Sequence, residues 1–180
     1  MFFTGKIYVH HSAIARFFAP SDVCGSGGMH RQTIRCNPKW EGGGRFDMVI
    51  MHDRAGEEAV LGPKVAQLYL IFSFTDTTTE IEHHCALISM FPVDGDSDMK
   101  DPATGMWIVK RQEDGEDKPL PLQIVLLSEI LRGAHLIPVY GTGYLPQDFS
   151  HVDALDSFYQ YYVNPYVDNH THEYLSRYDP

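Results

Sequence analysis

The segment Asp168-Asn169-His170-Thr171-His172-Glu173 gathers four side chains of metal-ligating type within six residues. On an extended strand a His-x-His step turns both rings to one face, an arrangement that metal sites use. A cupin-type site adds a later glutamate and further strands. Here Glu173 follows His172 at once, so the spacing departs from that pattern. A metal at this segment would need ligands from elsewhere, such as His10, His11, His83, His84 or Cys85. Asp168, His170, His172 and Glu173 are the candidate metal ligands, with a metal-dependent hydrolase or nuclease as the chemistry they would support. Hydrogen-bonded or solvated tail histidines are the simpler reading.

Other chemical patterns do not form. Cys24, His30 and Cys36 are too far apart for a Cys-x2–4-Cys knuckle. His84 and Cys85 are adjacent, and neighbouring strand residues point to opposite faces, so they cannot act as a base and nucleophile. Cys85 lies in an apolar run and reads as a core thiol. Gly25-Ser26-Gly27-Gly28 lacks the following Gly-Lys-Ser/Thr of a phosphate loop. Neither G-x-S-x-G nor H-E-x-x-H occurs. The sequence therefore predicts no catalytic residue, no cofactor and no small-molecule substrate.

A second group suits contact with a partner or with nucleic acid: Arg31, Arg35, Lys39, Trp40 and Arg45. The chain has 180 residues and a formal net charge of −10, which repels phosphate backbones unless positive charge is segregated. It is segregated. Residues 1–50 hold six basic and three acidic residues, and the remainder holds eight basic and twenty-one acidic. Trp40 stands between Lys39 and the Gly42–Gly44 run, where it can reach a partner. Trp107, in an apolar run, reads as core, with an aromatic recognition pocket as the sharper alternative.

The elements that must carry these residues read as mainly β. Eleven prolines and fifteen glycines suit short strands and turns better than a helix bundle. Residues 6–20 open as a strand, and Arg31–Cys36 forms a short one. Phe46–Met51, Val65–Phe74, Cys85–Phe91, Met106–Lys110 and Leu122–Leu127 are apolar runs bounded by turns, as in strands buried on both faces. Leu126–Leu131 also fits a short helix, and His135–Tyr140 a short extended segment. Ser150 is placed as an N-cap, with Val152, Leu155, Phe158, Tyr159 and Tyr162 spaced by three and four as a helical stripe. Asp153 and Asp156 fit its first turns and Pro165 ends it.

The expected fold is mainly β (α+β): a small β-barrel or a strongly twisted antiparallel sheet with a C-terminal amphipathic helix. The expected divisions are a basic, glycine-rich N-terminal arm over 1–45, a mainly-β domain over 46–165 with its helix at about 150–163, and a polar, histidine-containing tail over 166–180. The opening residues do not form a signal peptide, no apolar run is long enough to span a bilayer, and three cysteines do not suit a disulfide framework. An intracellular protein, nuclear or cytoplasmic, is expected.

Three stretches carry a family resemblance: HSAIARFFAPSDVCGSGGMHRQTIR, DPATGMWIVK, and LLSEILRGAHLIPVYGTGYLPQDF with the following ALDSFYQYYVNPYVDNHTHEYL. Together they resemble the C-terminal region of transposon-derived proteins of basidiomycete fungi, the Plavaka type of the Kyakuja–Dileera–Zisupton-related elements. The resemblance runs from about residue 8 to residue 175, and RGAHLIPVYG at 132–141 is its most specific part. Relatives carry a lysine where this chain has Pro165 and a histidine where it has Asn169, and both departures count against a working metal site. The resemblance implies a tail region separated from a transposase core, without strand-transfer activity. It implies a non-catalytic accessory domain that contacts chromatin or partner proteins. The alternative, read from the charge distribution, is weak DNA binding through the basic front end. The order of strands and closing helix also resembles chromatin-reading modules such as bromo-adjacent homology domains.

Overall fold

Apolar runs bounded by turns become strands because each must bury residues of both parities. A computed structural model of the protein describes residues 5–23, 26–41, 43–53, 62–95, 99–111, 121–145, 147, 149–150, 154–155 and 157–178. These form β1 (Ile7–His10), β2 (Ser12–Phe18), β3 (Met29–Trp40), β4 (Gly43–Phe46), β5 (Met48–Met51) and β6 (Val65–Thr75). Next come β7 (Glu82–Phe91), β8 (Trp107–Lys110), β9 (Leu122–Leu126), β10 (Ile130–Gly133), β11 (Leu136–Pro138) and β12 (Gln160–Val163). One short helix, α1 (Asn169–Leu175), follows.

The central sheet runs β10-β5-β6-β7-β9, and β1 pairs with the far half of β6. A second sheet is β11-β12-β8 and a third is β2-β3-β4. All strand pairs are antiparallel. The sheets are open: among the described residues no pairing joins β9 to β10, so the twisted-sheet alternative holds and the closed barrel does not form.

The central sheet is sandwiched, which explains its continuous apolar runs. In β5, Met48 and Ile50 enter one core cluster with Val65, Phe91, Trp107, Val109, Tyr161 and Val163. Val49 and Met51, of the other parity, enter the opposite cluster with Ile34, Cys36, Leu68, Ile71 and Ile88. Trp107 and Cys85 are both buried, in agreement with their core assignments. Gly62 sits against Trp107 with φ +91°, and a Cβ there would lie 2.9 Å from the indole, so both conformation and space require glycine.

Three sequence assignments change. The helix expected at about 150–163 does not form where the chain is described: residues 154–155 are in a turn and Gln160–Val163 is β12. Val152, Asp153 and Asp156 lie outside the described residues. In Gln160-Tyr-Tyr-Val163, Tyr161 and Val163 are buried alternately, and pairing between β8 and β11 overrides the three-and-four spacing. The C-terminal helix forms instead at Asn169–Leu175, within the stretch read as a tail. His170, Thr171, Tyr174 and Leu175 are buried there. The described part of the stretch read as an arm holds strands β1 to β4, anchored by buried Phe17, Ala19, Ile34 and Cys36. Cys24, Gly25 and Gly42 lie outside the described residues. Between β9 and β10, Leu127–Glu129 is a single tight turn, then the chain returns to strand.

Candidate nucleic-acid interface

The β2-β3-β4 sheet alternates its residues with period two. Phe17, Ile34 and Cys36 face the core. On the other face the register sets Phe18 opposite Met29, Arg16 opposite Arg31, Ile14 opposite Thr33 and Ser12 opposite Arg35. Arg45 of β4 stands opposite Asn37 on the same face. Four arginines thus share one outward surface.

β4 covers β3 only from Cys36 onward, while Met29–Arg35 keep an edge that β4 does not reach. Along that edge lies a cleft of about 470 Å³, whose lining includes Arg31, Arg35, Arg45, Asp47, Arg132 and His135. The Gln32 side-chain carbonyl accepts the Gly133 N–H at 2.9 Å and ties β10 to β3. A Cβ at Gly133 would approach the Gln32 amide to 3.0 Å, so the smallest residue permits that contact.

Asp47 organises the rim. One carboxylate oxygen accepts the Arg35 backbone N–H at 2.9 Å, and the other accepts Arg45 Nε–H at 2.8 Å. The Trp40 ring holds the guanidinium groups of Arg35 and Arg45, at 5.0 and 5.5 Å from its centroid. Among the described residues no carboxylate pairs with the side chain of Arg16, Arg31 or Arg35; Arg16 and Arg31 are exposed, and Arg35 is half-buried against Trp40. Arg31, Arg35, Trp40 and Arg45, four of the five expected contact residues, come together here. Lys39 is exposed at the end of β3 and does not line the cleft.

The expected metal ligands have other roles. Asp168 caps α1: its Oδ1 accepts the Thr171 N–H and hydroxyl, each at 2.7 Å. It also receives both terminal nitrogens of Arg132 in a forked ion pair. Arg132 is only 2% exposed and stacks over Phe17 at 4.6 Å. Its Nη1 also donates to His170 Nδ1 at 2.9 Å, which leaves the His170 proton on Nε2 and the ring neutral. His170 lies against Phe17 with ring centroids 4.7 Å apart.

Burial works against the Asp168 charge, but the Arg132 and Thr171 hydrogen bonds outweigh it and hold the carboxyl at about 2. Burial, then the Arg132 charge, push His170 below its ordinary value. His170 and His172 lie two apart on a helix, not a strand, so their rings diverge. His172 sits instead near Tyr166, at 6.0 Å between rings. Among the described residues no group of three or more histidines, cysteines or acids is placed to hold a metal.

Sequence reasoning missed Arg16, Arg132, His135 and Asp47. Arg132 and His135 lie in RGAHLIPVYG, the stretch most specific to the resemblance, but spacing alone gave them no partner. The pairing of Arg16 with Arg31 follows from register, which a single sequence does not state. Comparison with protein-family models, curated proteins and solved structures returned no match to this chain. No helix among the described residues is long and apolar enough to cross a membrane.

Proposed function

We propose that this chain is a non-catalytic binding domain of a transposon-derived protein, and that it contacts the phosphate backbone of nucleic acid through the basic face of β2-β3-β4. The observation that carries the reading is the grouping of Arg16, Arg31, Arg35 and Arg45 on one outward surface of a chain whose net charge is −10. Arginine forks fit phosphate oxygens, and the Trp40 stack and Asp47 hold two of them in place before a ligand arrives. With four contacts, log Kd should change with log salt with a slope magnitude of about 3. The resemblance to Plavaka-type tails supports the ancestry.

A protein partner is the second reading. It is favoured by β9, an edge strand of sequence LQIVL whose Leu122, Ile124 and Leu126 are exposed and which carries no charge to discourage pairing.

Fluorescence anisotropy with labelled oligonucleotides across a salt series tests the first reading. The Arg31→Ala/Arg35→Ala/Arg45→Ala variant should lose at least tenfold in affinity, and its salt-slope magnitude should drop toward about 1, the share of Arg16. Unchanged binding would refute the assignment. No binding by folded protein at low salt would leave the β9 edge as the working surface, to be tested by pull-down with Ile124→Lys as the control.

A further inference from the structure

The β2-β3 face is not uniformly basic. From the loop end of the hairpin, its outward rungs are Phe18 with Met29, Arg16 with Arg31, Ile14 with Thr33, and Ser12 with Arg35. Basic rungs alternate with rungs that are apolar or partly apolar. Phe18 is 62% exposed, Ile14 52% and Met29 44%, so large apolar surface stands in water beside the arginines. The Phe18 ring is backed by Gly28 and Pro20: a Cβ on Gly28 would lie 3.0 Å from Phe18 Cε2 and 3.3 Å from Pro20 Cα. The ring therefore has a packed side and an open side.

A duplex cannot use these rungs fully. It presents phosphates and base edges, while its base faces are stacked on one another. A single strand presents both its phosphates and the faces of its bases. Sheet surfaces that bind single strands pair aromatic platforms with nearby cations. Among the described residues no helix offers a route into a duplex groove: α1 has seven residues, and four of them are buried.

From this alternation we propose that the face takes single-stranded nucleic acid in preference to duplex. A base stacks on Phe18 beside Met29, and flanking phosphates are held by Arg16 and Arg31, with Arg35 and Arg45 continuing the track toward the cleft. This rests on the nucleic-acid reading of the same face and adds the class of strand. DNA and RNA share the chemistry used, namely a phosphodiester and a base face, so the face is assigned to single strands of either kind.

The test compares the full chain with labelled DNA and RNA oligonucleotides of one mixed sequence, each as single strand and as duplex, by anisotropy at low salt. Single strands should bind about tenfold or more tightly than the matching duplexes. Phe18→Ala should weaken single-strand binding about tenfold, in line with the loss of one stacked base, and leave duplex binding unchanged. Phe18→Tyr should restore it. Phe18 is exposed, so circular dichroism of both variants should match the parent. Equal binding of duplex and single strand, with no effect of Phe18→Ala, would overturn the single-strand proposal and leave the phosphate contact intact. No binding of any of the oligonucleotides by folded protein would overturn both.

Discussion

Arg132 and the arginines of the β2-β3-β4 face carry the same side chain in opposite settings. Arg132 is withdrawn from water and its charge is answered inside the fold, by the Asp168 fork, the His170 ring and the Phe17 face. Arg16 and Arg31 project from an open sheet with no carboxylate partner among the described residues. An isolated buried cation costs far more than an exposed one, so Arg132 is bound to a structural role by its burial. Arg16 and Arg31 have no such obligation, and their charge remains available to a ligand, while Arg45 shares its charge with Asp47. Burial and pairing, not residue type, separate the positive charge that holds this protein together from the positive charge that can hold something else.

The largest effect expected from this contrast is at the buried centre. Arg132→Ala leaves Asp168 and His170 without their shared donor and should cost about 3–5 kcal/mol, a fall in Tm on the order of 10 °C. Thermal or urea denaturation measures it, and a loss below about 1 kcal/mol would dissolve the distinction between the two regions.

Acid should act next, and in two stages. The folded pKa of His170 lies below its ordinary value, so the unfolded chain takes up that proton first, and stability should begin to fall as the pH drops below about 6.5. Asp168 is held at about 2 against an ordinary 3.8, so its contribution is complete above about pH 4 and is lost as the pH falls toward 2. That second stage is worth about 2 kcal/mol, because one pKa unit corresponds to about 1.4 kcal/mol. Urea midpoints measured from pH 8 to pH 2 should show both stages, and Asp168→Asn should flatten the lower one.

The smallest effect should be at the open face. Replacing Arg31, Arg35 and Arg45 by alanine should shift stability by only about 0.5 kcal/mol per site, as for exposed positions elsewhere, although Trp40 loses its two stacked guanidinium groups. A cooperative loss of several kcal/mol in this variant would make the face a structural element and weaken its reading as a ligand surface.

Much of the fold is legible in the sequence because buried strands write themselves as apolar runs. Val65–Thr75, Glu82–Phe91, Trp107–Lys110 and Leu122–Leu126 fall where their patterns end in turns. The segment at Gln160–Val163 misleads because aromatic residues spaced by three and four satisfy a helical stripe, while their actual burial alternates. Local spacing is silent about which neighbours are available to pair. The candidate interface is legible in part for the same reason. Arg31, Arg35 and Arg45 are recognisable as a basic group, but Arg16 joins them only through the β2-β3 register. Asp168 and His170 look like metal ligands in isolation and become a cap and a packed ring once Arg132 stands beside them.

The sequence by itself determined the β class, the apolar strands, and the concentration of positive charge near the front of an acidic chain. These depend on composition and short-range periodicity, which need no partner to be read. The tertiary structure alone decided which strands meet, which arginine is buried, and whether the histidines can converge. Those outcomes depend on contacts between residues far apart in the chain, such as Arg132 with Asp168 and Gln32 with Gly133, and each is fixed by the burial cost of leaving a polar group unpaired.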